Sequence, residues 1–288
     1  MNRRYFLAAG AASLGFLQAA RLAIRKGVYA PMLPKELSWV ERFKLARDVG
    51  FEEVECNTAA DDAEAEQVKA AAERTGLRVH SVMNSAHGKY PLSSPDPAVV
   101  AAGMKGLETS LGNARLWGAE TVLLVPGFVT AQVGYKECWE RSQKEIRRIL
   151  PRAAEMKVTI AIENVGSRFL LSPLEFARYV DEFNSPWLRA YFDVGNIVRN
   201  GFPQDWIRTL GKRIVKLHLK DPAVARQAPG APAAPRAPLL EGDVDWREVH
   251  KALTEIGYRG SATVELPGGD AEYLRDVSRR VDKILAGM

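Results

Sequence analysis

The chain has 288 residues, of which 47% are hydrophobic, so it is long and apolar enough to bury the core of one large domain. Its 40 basic and 35 acidic residues give a net charge of +5, but they are interspersed without a Lys/Arg block, which argues against a nucleic-acid partner. The two cysteines, Cys56 and Cys138, form neither a CxxC motif nor a disulfide framework, and we expect both to be buried.

The first 23 residues have the features of an export signal. Arg3 and Arg4 precede an aromatic residue and a leucine, as in the twin-arginine motif, and the apolar run 8–20 is shorter than a membrane span. We therefore predict a leader at 1–23, export to the periplasm and no membrane span once the leader is removed. The alternative is an apolar helix that stays on a cytoplasmic protein, since no clean A-x-A cleavage site is present.

From residue 24 to residue 288, segments typical of strands alternate with segments typical of helices. The predicted strands are 24–29, 51–56, 77–83, 121–125, 158–163, 188–193, 214–218 and 261–265. The predicted helices are 37–50, 61–76, one ending at 117, 135–156, one beginning at 172, 204–210, 246–257 and 271–285. The segment 222–238 is rich in Ala and Pro, and we expect it to be a mobile loop on the active-site face or a disordered insertion.

The last four predicted barrel strands each end on a side chain that can bind a metal ion. The run 158–163 is almost wholly apolar and then stops on Glu163, and the next three strands stop on Asp193, His218 and Glu265. A single carboxylate at a strand end most often only meets solvent. Four such ends in succession are much harder to explain in that way.

The alternation of strands and helices predicts an α/β fold, a single-domain (β/α)8 TIM barrel. An open doubly wound sheet is disfavoured because no glycine-rich phosphate turn is present. The carboxyl ends of adjacent parallel barrel strands meet on one face, so the four strand-end side chains are expected to converge. Three carboxylates and one imidazole suit Mn²⁺, Mg²⁺, Co²⁺ or Zn²⁺.

Six blocks of sequence follow one another in an order that is known from one enzyme family. They are 33–39 (LPKELSW) with 41–42 (ER), 85–87 (SAH), 185–187 (SPW), 192–196 (FDVGN), 218–221 (HLKD), and 241–242 (EG) with 244–245 (VD). In these blocks the chain resembles the xylose isomerase-like TIM barrels, and among them the L-ribulose-5-phosphate (L-xylulose-5-phosphate) 3-epimerases, also called hexulose-6-phosphate isomerases. The resemblance covers nearly everything after the leader.

The resemblance implies roles for individual residues. One divalent ion is expected at Glu163, Asp193, His218 and Glu265, with the two glutamates also acting as acid and base. Three residues are expected at the substrate, which are His87, Asn196 and Arg236. Arg236 matches the family only after a one-residue gap, and many relatives have a histidine where this chain has Asn196. Lys220 and Asp221 are expected either to orient His218 or to pair with one another.

The chemistry that the resemblance implies is epimerisation or isomerisation of a sugar or sugar phosphate. A bound divalent ion can chelate the carbonyl and the adjacent hydroxyl of a ketose and stabilise a cis-enediolate, while Glu163 and Glu265 exchange the proton on opposite faces. The alternatives are an aldose–ketose isomerase, a keto-inositol dehydratase or lyase, and an exported sugar-binding protein without catalysis. The partner in each case is a small sugar, and homo-oligomer formation is compatible with the sequence but is not decided by it.

Overall fold

The computed structural model describes residues 21–226 and 235–288, so most of the predicted leader and the centre of the Ala/Pro-rich segment lie outside the described residues. Eight parallel strands form a closed barrel, in which the first strand pairs with the last. The strands in chain order are β1 (Arg25–Tyr29), β2 (Glu53–Asn57), β3 (Arg78–Met83), β4 (Thr121–Leu124), β5 (Thr159–Glu163), β6 (Leu188–Asp193), β7 (Ile214–Leu219), the short β8 (Asp221–Pro222) and β9 (Arg236–Ala237) outside the barrel, and β10 (Ser261–Val264). The predicted (β/α)8 barrel is confirmed.

Eight helices follow the barrel strands in the part of the chain that the structure describes. They are α1 (Trp39–Asp48), α2 (Asp62–Thr75), α3 (Pro97–Trp117), α4 (Tyr135–Met156), α5 (Pro173–Asp181), α6 (Pro203–Leu210), α7 (Trp246–Glu255) and α8 (Ala271–Leu285). Ser38 and Glu41 form a reciprocal capping box at the start of α1, and Ser172 accepts a hydrogen bond from the Glu175 amide at the start of α5. Across these described ranges, no helix has both the length and the apolar character needed to cross a membrane.

The two-residue period of a strand decides which side chains enter the barrel. Tyr191 and Asp193 share one face of β6, and the ring of Tyr191 packs inside the barrel with Leu123 and Ala161. The intervening Phe192 points the other way and stacks on Trp206 of α6. The interior is therefore a packed core, and polar side chains at the carboxyl ends of the strands lie on top of it.

Charged side chains close the amino-terminal end of the barrel. Glu53 is 1% exposed, and its carboxylate contacts Arg25 at 2.6 Å and Arg78 at 2.9 Å. Ser261 donates to the other oxygen of Glu53 at 2.5 Å and accepts from Lys216 at 3.2 Å. We call these five residues the floor network. Each buried charge in it has a partner of opposite charge or a hydroxyl, as burial requires.

The two ends of the Ala/Pro-rich segment 222–238 take part in a short pair of strands. β8 and β9 pair antiparallel, with Asp221 opposite Ala237. Asp221 is buried and accepts hydrogen bonds from the Leu240 and Val244 amides and from the indole of Trp246, at 2.8 to 3.1 Å. One carboxylate thus connects the start of β8 to the start of α7. The predicted mobility of 227–234 lies outside the described residues.

Candidate metal centre

The four side chains predicted from the strand ends converge at the carboxyl end of the barrel. Each of Glu163, Asp193, His218 and Glu265 offers one ligand atom, and these atoms lie within 4.8 Å of one another. Glu163 and Asp193 are the last residues of β5 and β6, His218 is the penultimate residue of β7, and Glu265 lies one residue beyond β10. These strands are neighbours in the barrel in the order β5, β6, β7, β10, which brings their ends together.

His218 lies at the centre of this group and is fully buried. Its Nδ1 is 3.0 Å from Glu163, 3.5 Å from Glu265 and 3.9 Å from Asp193. The other ring nitrogen, Nε2, faces away from the group and lies 2.6 Å from Oε2 of Glu55. Burial alone would lower the pKa of His218, but the carboxylates of Glu55 and Glu163 outweigh it and raise the pKa well above its ordinary value.

Lys220 also reaches the group, because residues 216, 218 and 220 share the inward face of β7 and its extension. Its ammonium lies 2.8 Å from Oδ2 of Asp193 and 2.8 Å from Oε2 of Glu265. The expected pairing of Lys220 with Asp221 is therefore wrong, because Lys220 pairs with Asp193 and Glu265 instead. Gly195 makes this placement possible, because a Cβ at that position would lie 2.7 Å from the Lys220 carbonyl oxygen.

Lys220 and His218 affect the pKa values of Asp193 and Glu265 to different extents. Burial raises the pKa of Asp193 to about 6, and Glu163 and Glu265 add to this effect while Lys220 opposes it. Burial would also raise the pKa of Glu265, but His218 and Lys220 overcome it and lower the pKa. Glu265, which is 24% exposed, is thus the carboxylate that is held ionised at the mouth of the site.

Two asparagines fix the position of Asp193. The side chain of Asn164 accepts from the Asp193 amide and donates to its carbonyl oxygen, both at 2.8 Å. The backbone N–H of Asn196 donates to Oδ1 of Asp193 at 2.8 Å, and the side-chain amide of Asn196 donates to the backbone carbonyl oxygen of Asn164. The strand end that carries Asp193 is therefore held by both its main chain and its carboxylate.

The other two predicted substrate residues lie near the same face. His87 follows β3, and its Nδ1 accepts a hydrogen bond from the Val125 amide, just past the end of β4, at 3.3 Å. Burial lowers the pKa of His87 to about 4, so this ring is neutral at neutral pH. Arg236 lies exposed on β9, and its charge acts to lower the pKa of Glu265.

The arrangement fits a divalent ion. Ligand atoms held about 2.1 Å from one ion lie roughly 3 to 4 Å apart, close to the separations found here. Three carboxylates and one imidazole nitrogen supply hard, mainly oxygen donors of the kind that Mn²⁺, Mg²⁺ and Co²⁺ accept and that Zn²⁺ also binds. The strand-end pattern predicts this group correctly as a cluster that could hold a metal ion.

The sequence interpretation missed Glu55, the buried carboxylate that contacts His218. The sequence did contain a signal for it, because β2 has two glutamates, Glu53 and Glu55, alternating with apolar residues that predict a buried strand. Both are inward and buried, one at the floor and one beneath the candidate metal centre. A charged residue at alternate positions of a buried strand indicates a partner within the barrel.

The chain also resembles known proteins along most of its length. A family model described as "Xylose isomerase-like TIM barrel" matches residues 43–283. L-ribulose-5-phosphate 3-epimerase UlaE of Salmonella paratyphi A is 30% identical over 284 residues, which cover 91% of this chain and 96% of the relative. UlaE of Escherichia coli (strain K12 / DH10B) is 29% identical with the same coverage.

Solved structures show the same fold at lower sequence identity. A D-tagatose 3-epimerase-like protein superposes with a TM-score of 0.77 at 17% identity and covers 91% of this chain and 98% of its own. An L-ribulose 3-epimerase superposes with a TM-score of 0.73 at 19% identity, covering 93% and 94% of the two chains. The family match over residues 43–283 places the chain in the xylose isomerase-like TIM barrel family, and these structures show the same fold.

Proposed function

We propose that the protein is a divalent-metal-dependent epimerase that inverts one carbon of a ketose or ketose phosphate. The relatives named above are sugar epimerases, and this chain is an enzyme of the isomerase class. The observation that carries the finer proposal is the placement of two glutamates, Glu163 and Glu265, on either side of a single centre. β6 and β7, with Asp193 and His218, lie between the strands from which these glutamates come.

Inversion of a carbon next to a carbonyl needs a base on one face and an acid on the other. A divalent ion bound at the centre would supply Lewis acidity to the substrate carbonyl. One glutamate removes the proton from the carbon, and the other returns a proton to the opposite face. Lys220 supports this role for Glu265, because its ammonium fixes the carboxylate at 2.8 Å and helps to hold it ionised.

The experiment that tests this proposal is substrate turnover in D₂O. Ketopentoses and ketohexoses, free and phosphorylated, are incubated with the enzyme and Mn²⁺, and the products are analysed by NMR. We expect one substrate class to give a product that is inverted at a single carbon and carries deuterium there. Conversion to an aldose would instead support isomerisation, loss of water would support a dehydratase, and binding without deuterium exchange would support a sugar-binding protein.

We also propose that the protein is exported through the twin-arginine route. Support comes from Arg3 and Arg4 and from the short apolar run that follows them, all of which lie outside the described residues. We expect the double substitution Arg3→Lys and Arg4→Lys to leave the protein in the cytoplasm, whereas the unaltered protein is found in the periplasm. Cell fractionation measures this, and an equal distribution of the two proteins would disprove export by this route.

A further inference from the structure

Glu55 is a fully buried carboxylate directly beneath the candidate metal centre. It is on β2, which is not a neighbour of β7 in the barrel, so its contact with His218 crosses the barrel interior. Oε2 lies 2.6 Å from Nε2 of His218, and Oε1 accepts a hydrogen bond from Ser81 of β3 at 2.8 Å. Both oxygens are therefore engaged, and neither belongs to the four ligand atoms that face the centre.

The contact decides which nitrogen of His218 keeps its hydrogen when a metal ion binds. A carboxylate accepts hydrogen bonds, so Nε2 must donate to Glu55. Nδ1 faces the other three carboxylates, and a metal ion bound there takes its lone pair. With Glu55 present, the metal-binding form of the ring is therefore the one with hydrogen on Nε2 and a free lone pair on Nδ1.

The surroundings of the ring restrict its orientation further. The ring of Tyr191 lies against His218 with a centroid distance of 4.5 Å, and His218 is fully buried. Rotation of the imidazole by half a turn would exchange Nδ1 with Cδ2 and Nε2 with Cε1, which takes Nδ1 away from the ligand group and Nε2 away from Glu55. That rotation would leave Oε2 of the buried Glu55 carboxylate without its partner at 2.6 Å, which is costly.

We propose that Glu55 is a positioning residue that presents Nδ1 of His218 to the metal ion. The proposal rests on the metal centre of the proposed function and adds the residue that orients its single nitrogen ligand. Carboxylates that hold a metal-binding histidine from behind raise the basicity of the ring, and their loss typically weakens metal affinity about 10- to 100-fold.

Glu53 provides a matched control on the same strand. It is also an inward glutamate of β2 and is 1% exposed, but it belongs to the floor network with Arg25, Arg78 and Ser261. Removal of its charge is therefore expected to lower the stability of the fold without changing the environment of His218. The comparison between the two glutamates separates a general effect of losing a buried carboxylate from a specific effect on the metal centre.

The test compares Glu55→Met, Glu55→Gln and Glu53→Met by chelator-competition measurement of Zn²⁺ and Mn²⁺ affinity. Glu55→Met removes the acceptor, and we expect affinity to fall about 10- to 100-fold. Glu55→Gln keeps an amide oxygen that can accept from Nε2, and we expect it to recover a large part of this loss. Glu53→Met is expected to bind both ions within about threefold of the parent, because it leaves the hydrogen bonds of His218 intact.

A second measurement shows directly which nitrogen of the His218 ring carries hydrogen. In the zinc-loaded parent, ¹⁵N NMR of His218 should show hydrogen on Nε2, and the same signals should broaden or change in Glu55→Met if that variant folds. Equal affinities for the parent, Glu55→Gln and Glu55→Met, or equal losses in Glu55→Met and Glu53→Met, would overturn the role of Glu55 while leaving the metal centre in place. Absence of metal binding by the parent would overturn the metal centre itself, and the role of Glu55 with it.

Discussion

Replacement of Glu163 or Glu265 by glutamine is expected to reduce epimerisation about 10²- to 10⁴-fold, which corresponds to roughly 3 to 5 kcal/mol in the barrier. Glutamine keeps an oxygen that can contact a metal ion but cannot take a proton. Each variant should therefore retain part of its metal while losing turnover. One of them is expected still to exchange the substrate proton with D₂O, because removal of that proton needs only a single base.

The measurements are initial rates of epimerisation, metal content, and deuterium incorporation into the recovered substrate. Glu155→Gln serves as the control, because Glu155 is exposed on α4 and its carboxylate pairs with Arg152. A Gln variant that keeps its metal and turns over within about threefold of the parent would show that its glutamate is only a ligand. The two-base mechanism would then be wrong.

Substitution of the buried candidate ligands Asp193 and His218 is expected to remove the metal almost completely. Asp193→Asn loses a charge that is fully buried, and His218→Ala removes the nitrogen ligand. Direct loss of a ligand should exceed the roughly 100-fold weakening that follows loss of an orienting partner. Metal analysis of the purified variants, together with activity at increasing Mn²⁺, measures the effect.

Asp221→Asn is the matched control for these two substitutions. Asp221 is also buried and lies three residues after His218, but its carboxylate holds the segment before α7 through Leu240, Val244 and Trp246. It should keep one metal ion per chain even if its thermal stability falls. Unchanged metal content in both Asp193→Asn and His218→Ala would disprove the assignment of the four ligands.

The order of strands and helices could be predicted from the sequence because the signals for them are local. Apolar runs and helix-start signals such as Ser38 with Glu41 placed the elements of the barrel, and the structure confirms them with shifts of one or two residues at their ends. The candidate metal centre could be predicted for the same reason, since the carboxyl ends of four neighbouring barrel strands meet on one face. The position of Glu265 just beyond β10 does not alter that result.

The contacts of Glu55 and Lys220 could not be predicted, because both depend on distances across the barrel. Glu55 reaches His218 over 163 positions of sequence, and only the closure and register of the barrel bring them together. Lys220 lies two residues after His218, yet its ion-pair partners are Asp193 and Glu265. Such pairings are set by which side chains share one layer of the interior, and no local pattern encodes that layer.

The floor network has a kinetic consequence for the proposed reaction. Glu53 and its cationic partners close one end of the barrel, and the packed interior around Tyr191 separates that end from the centre. Within the described part of the chain, solvent therefore reaches Glu163 and Glu265 from the carboxyl face alone. In the proposed reaction, the escape of a metal ion, the release of a sugar and the exchange of a catalytic proton with water would then share a single passage. A bound sugar that fills this passage would slow all three processes together, and the fraction of solvent deuterium found in the product would measure that slowing.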